Sequence, residues 1–78
     1  MKIQIITPDI TIFSGEVKLA QFPGLDGSFE VLDRHAPLIA ALASGKIKVR
    51  GRDDKDRFYN IRSGVVEVKN NEVLVLAE

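Results

Sequence analysis

The side chains best equipped for chemistry fall in three short segments. Asp33-Arg34-His35 places an acid beside the only imidazole of the chain. A catalytic triad needs convergent geometry, and three adjacent residues of one strand or loop point in different directions. Hydroxyl nucleophiles are available at Thr7, Thr11, Ser14, Ser28, Ser44 and Ser63, but none sits in a Gly-x-Ser-x-Gly elbow. His35 therefore reads as a turn or surface histidine making polar contacts, and no catalytic residue is assigned. Gly24-Leu25-Asp26-Gly27 has the letters of a backbone-clamping GxxG loop. Here, however, it joins two strand-like runs and carries an aspartate. It is better described as a glycine-rich turn with Leu25 exposed at its tip, and an exposed apolar tip suits a contact. Asp54-Lys55-Asp56 displays a lysine at a polar turn, as lipoyl and biotinyl carrier domains do, although only the leading acid matches their motif.

Composition removes several classes outright. The absence of cysteine excludes disulfides, thiol catalysis and thiolate metal sites, and a single histidine excludes Cys/His zinc sites and histidine clusters. No metal or cofactor site is assigned. The formal net charge is zero, whereas a nucleic-acid binder normally has a basic excess. The five aromatics, Phe13, Phe22, Phe29, Phe58 and Tyr59, are too scattered for a base-stacking stripe. No apolar run is long enough to span a bilayer, so no direct membrane insertion is expected. With 78 residues there is room for one domain, residues 1–78, and a domain of that size is only marginally stable alone. Such a module is expected to lean on a partner.

These segments must be held by strands. The 8 Ile, 8 Val, 2 Thr, 4 Phe and 1 Tyr favour extended structure. Gly, Pro, Asn and Asp interrupt them too closely for ordinary helices. Lys46–Arg50 alternates with two apolar residues inward and three cations outward; Lys2–Ile5 and Ile10–Ile12 repeat this more weakly. Gly51–Asp56 is the polar tip joining Lys46–Arg50 to Arg57–Arg62. Val65–Lys69 and Glu72–Leu76 flank Asn70-Asn71, a two-residue turn for which asparagine suits the left-handed conformation. Val73–Leu76, apolar on both faces, predicts a strand covered on both sides. Ala36–Ala43 reads as a strand, because Gly45 leaves a helix starting at Pro37 only about two turns. The expected fold is all-β: a small antiparallel two-sheet β-sandwich, or flattened barrel.

Several motifs together carry a family resemblance. Thr7-Pro8-Asp9 and Phe13-Ser14-Gly15-Glu16-Val17 open it. The segment from Phe22 through Leu32 and His35-Ala36-Pro37-Leu38 continue it. Gly45–Val49, Gly64-Val65-Val66-Glu67-Val68, Asn71, Val73 and Val75-Leu76-Ala77 complete it. In order and spacing the sequence resembles the N-terminal β-sandwich domain of the epsilon-subunit family of F-type ATP synthases. Two departures stand out. The tip reads Leu25-Asp26-Gly27-Ser28-Phe29 where family members often read Gly-Glu-Leu/Phe-Gly. The sequence also ends at Glu78, where many members continue into a two-helix hairpin, so the inhibitory hairpin is expected to be absent.

The resemblance implies a non-catalytic rotor piece of the central stalk that binds the gamma subunit and the c-subunit ring within a hetero-oligomeric complex. It would help couple rotation, driven by hydrogen ion transport, to ATP synthesis. It places the c-ring contact at Pro23, Gly24, Leu25, Asp26, Gly27, Ser28, Phe29 and Glu30. The gamma contact falls at Thr7, His35, Ala36, Pro37, Leu38 and Ala40. The expected location is peripheral, on the cytoplasmic face of the bacterial inner membrane, or alternatively on the stromal face of a plastid thylakoid. The rival readings are a lipoyl or biotinyl carrier modified at Lys55 and an OB-type nucleic-acid binder.

Overall fold

The computed structural model describes residues 1–78, which form eight strands and no helix. They are β1 (Lys2–Ile6), β2 (Thr11–Gly24), β3 (Gly27–Leu32), β4 (Leu38–Leu42), β5 (Gly45–Gly51), β6 (Asp56–Ile61), β7 (Gly64–Lys69) and β8 (Glu72–Ala77). The long β2 organises them. Its first half pairs with β1, and its second half lies between β3 and β5. One layer is therefore β4–β7–β8–β1 with the start of β2, and the other is β3–β2–β5–β6.

The change of layer is made at Lys18. The β2–β5 register slips between Val17 and Leu19, so one extra residue moves the inward positions from Val17 to Ala20 and Phe22. An inserted residue of this kind bends a strand and re-aims its side chains. Phe22, Ile3, Ile5, Ile47, Val49, Val66 and Val75 then meet between the layers, all fully buried. Phe29 and Tyr59 close the flanks in tilted contacts with Phe22 and Phe13, at 5.5 and 5.4 Å between ring centroids.

The hairpins follow the expected turns. Asn70 and Asn71 take φ of 54° and 59°, the positive values a two-residue hairpin turn requires. Leu38–Leu42 is a strand, as expected for Ala36–Ala43. Three expectations need correction. The sheet is mixed, because β1 pairs with β8 in parallel. Since β7 reverses into β8 through a tight turn, the direction of β8 is fixed by β7, and it meets the free side of β1 in the same sense. The barrel closes at only one residue pair, Gly24 with Leu42, so the sandwich description holds and the flattened barrel does not. Finally, β8 is not covered on both sides: Val73 and Val75 are buried, but Leu76 remains 51% exposed.

Candidate interaction surface

Asp33-Arg34-His35 does not converge on any chemistry. Asp33 turns to the Met1 ammonium and to Arg52. The Arg34 N–H donates to Asn71 Oδ1 at 2.7 Å, with φ of 63° at Arg34. His35 Nδ1 lies 2.8 Å from the Ala36 carbonyl oxygen. The Thr7 hydroxyl closes its own loop, accepting from the N–H of Ile10 at 3.1 Å and donating to that residue's carbonyl at 3.3 Å. Lys55 sits at an exposed tip held by its neighbours: Asp53 accepts from the Lys55 N–H, and Asp54 pairs with Lys18. The Lys55 N–H holds the Asp53 carboxyl below the usual carboxylate range, with smaller contributions from the charges of Arg57 and Lys55.

The segment Pro23–Glu30 is a tight hairpin rather than a loose loop. Gly24 pairs with Gly27 across a two-residue turn of Leu25 and Asp26, and Gly27 has φ of 122°. A Cβ on Gly24 would lie 2.5 Å from the Gly27 carbonyl oxygen and 3.0 Å from the Phe29 ring. The tip is also tied to β4: the Leu25 N–H donates to the Ala41 carbonyl at 3.0 Å, and the Ala43 N–H to the Pro23 carbonyl at 2.7 Å. Leu25 projects with 64% of its surface exposed. Asp26, Ser28 and Glu30 are exposed as well, whereas Phe29 packs against the core and offers less than its size suggests.

The residues assigned to a gamma contact frame one face of the first layer. Thr7 follows Ile6, which is opposite Leu76, while Arg34 bonds the β7–β8 turn at the other end of the strands. Thr7 and His35 thus stand at opposite ends of that layer. Ala36 and Pro37 are exposed. Leu38 and Ala40 are opposite Val68 and Val66 and pack against the core, so their side chains point inward. The outward positions of β4 are Ile39, 72% exposed, and Ala41.

Sequence reasoning missed what those positions join. Across four strands, Ala41 is opposite Val65, Val65 opposite Leu76, and Leu76 opposite Ile6. This apolar row lies on the outer face. Beside it, Thr7, Leu25, Leu42, Val65 and Leu76 help line a cleft of about 590 Å³. Leu25 therefore joins the hairpin tip to the face between Thr7 and His35, giving one continuous surface. The available signal was the second apolar parity of Val73–Leu76, of which Leu74 is half-buried and Leu76 exposed.

The comparisons agree with this architecture. The family model described as ATP synthase, Delta/Epsilon chain, beta-sandwich domain matches residues 1–78. The ATP synthase epsilon chain of Chlorobium limicola is 43% identical over 77 residues, an alignment covering 99% of this chain and 88% of that one. That of Nitratiruptor sp. is 40% identical over 78 residues, covering all of this chain and 60% of the other. Among solved structures, a chain of the Euglena gracilis mitochondrial ATP synthase superposes with a TM-score of 0.90 at 23% identity. That match covers 96% of this chain and 48% of the other, and at such identity it bears on the fold alone. Neither a carrier domain nor an OB-type binder is the family matched. The chain belongs to the ATP synthase delta/epsilon chain β-sandwich family, with epsilon chains as its relatives.

Proposed function

We propose that this domain works as a non-catalytic piece of the central stalk, bound to the gamma subunit and to the c-subunit ring, and helps carry rotation between them. Gamma covers the outer face of β4–β7–β8–β1 between Thr7 and His35. The c-ring meets the hairpin tip of residues 23–30. The observation that carries this reading is the uncovered row Ala41–Val65–Leu76–Ile6, continued by Leu25, on a chain whose family supplies subunits of a larger machine. An apolar surface of this kind marks a docking site, and its burial would stabilise a small domain. The charges of Asp26 and Glu30 suit basic groups on polar ring loops. Neither forms an ion pair within the domain. The domain is then peripheral to the membrane, on the cytoplasmic face in a bacterium, held there by its partners.

The test is addition of this domain to an epsilon-depleted ATP synthase. Restored ring attachment and proton-coupled turnover, without slower ATP hydrolysis, is the expected result. A brake requires an element with two docked positions, whereas the eight strands of these 78 residues all pair within the one sandwich. Failure to join gamma and ring, or strong inhibition of hydrolysis by these 78 residues, would overturn the reading.

A further inference from the structure

The outer face of β4–β7–β8–β1 carries a carboxylate set among apolar neighbours. Next to the apolar row Ala41–Val65–Leu76–Ile6 runs a second row: Ile39 is opposite Glu67, Glu67 opposite Leu74, and Leu74 opposite Gln4. Ile39 is 72% exposed and Leu74 half-buried, so Glu67 stands between two apolar side chains. The third row differs. There Glu72 is opposite Lys69 on one side and Lys2 on the other, so an anion has a cation on each flank. Glu67 has no such neighbour across the strands and takes part in no ion pair. Beside it the surface sinks into a hollow of about 370 Å³, lined by Leu74, Val73, Gln4 and the charges of the third row.

In the free domain the exposed Glu67 keeps its water. A partner that covers this face cuts the carboxylate off between Ile39 and Leu74, and an unpaired charge there opposes binding. A matching cation turns the same charge into a means of selection, because a partner without one leaves the carboxylate stranded. We infer that Glu67 is the specificity-determining residue of this face, and that the covering partner presents an arginine to it. The inference rests on gamma being that partner. An arginine fits better than a lysine, since its planar guanidinium donates two parallel hydrogen bonds to a carboxylate. Its aliphatic stem can lie in the hollow along Leu74 while the charged head meets Glu67.

The test measures binding of the chain to epsilon-depleted ATP synthase, with gamma in place, for Glu67→Gln, Glu67→Leu and Glu67→Lys. Because Glu67 is exposed, each variant should keep its urea midpoint. Glu67→Gln should weaken binding about thirtyfold, since it strands the partner's cation. Glu67→Leu separates this from simple apolar contact. It would tighten binding to an uncharged apolar surface, but here it should weaken binding at least as much as Glu67→Gln. Glu67→Lys should bind weakest, and reversing one gamma arginine to glutamate should restore it. Unchanged affinity for Glu67→Gln, tighter binding for Glu67→Leu, or restoration by no gamma variant would overturn the inference. The Ile39→Thr/Leu76→Thr chain, run alongside, shows which reading has failed. A loss for that chain with none for the Glu67 variants removes the arginine but keeps gamma on this face. No loss for either removes both.

Discussion

Replacing Ile39 and Leu76 together by threonine should weaken gamma binding while leaving the domain folded. Threonine has the branched β-carbon that suits a strand, and both replaced side chains face outward, with 72% and 51% of their surfaces exposed. The isolated domain should therefore change by no more than about 0.5 kcal/mol. Fully burying a leucine or isoleucine is worth about 1.5–3 kcal/mol, so covering the exposed parts gives about 1 kcal/mol for Leu76 and about 1.5 for Ile39. The sum, about 2.5 kcal/mol, is an upper bound because threonine retains a methyl group, and it corresponds to between about tenfold and seventyfold in Kd. Calorimetric titration with purified gamma measures this directly. Phe58→Thr is the control: Phe58 is comparably exposed, at 58%, but lies on β6 in the other layer. Unchanged affinity for the Ile39/Leu76 variant, with a loss for Phe58→Thr, would show that the wrong face has been chosen.

Gly24→Ala should destabilise the domain by about 1–3 kcal/mol in urea unfolding, because its Cβ meets the backbone oxygen of Gly27 at 2.5 Å and has no flexible neighbour to displace there. Asp26→Lys combined with Glu30→Lys should release the c-ring in pull-down with little effect on the melting temperature, since both side chains are exposed; intact ring binding would contradict the tip assignment. Asp56 accepts two hydrogen bonds from Arg50, at 2.7 and 3.2 Å, which hold its carboxyl below the ordinary value. A lowered folded-state value means its stabilisation is present above the ordinary carboxylate range and is lost as pH falls through the folded value. Asp56→Asn should therefore flatten the acid limb of the stability profile, and an unchanged limb would assign that slope to other groups.

What was legible in the sequence was local. The Asn70-Asn71 turn, the hairpin joining β5 to β6 and the strand over Leu38–Leu42 all follow from residue types within a few positions of one another. The parallel pairing of β1 with β8 was hidden, because it joins the two ends of the chain and leaves no alternation of its own. The slip at Lys18 was hidden for a related reason: period-two reading assumes that inward positions keep their parity, and one extra residue breaks it. That blindness reached the candidate surface. Without the register to β7, nothing distinguishes Leu38 and Ala40, which face the core, from Ile39 and Ala41, which face outward. Leu25 could be named as exposed, but its bond to Ala41, and so its place beside the apolar row, needed the fold.

The central claim is that two partners meet one continuous surface of this domain, and side-chain footprinting of the assembled complex tests it most directly. Carbene labelling of the free domain, the domain bound to gamma, and the domain bound to gamma with the c-ring would be compared residue by residue. The account predicts that gamma protects Ile39, Val65 and Leu76, and that adding the ring extends protection to Asp26, Ser28 and Glu30, while Phe58 stays labelled throughout. Protection of Phe58 with Ile39 and Leu76 left open would contradict it.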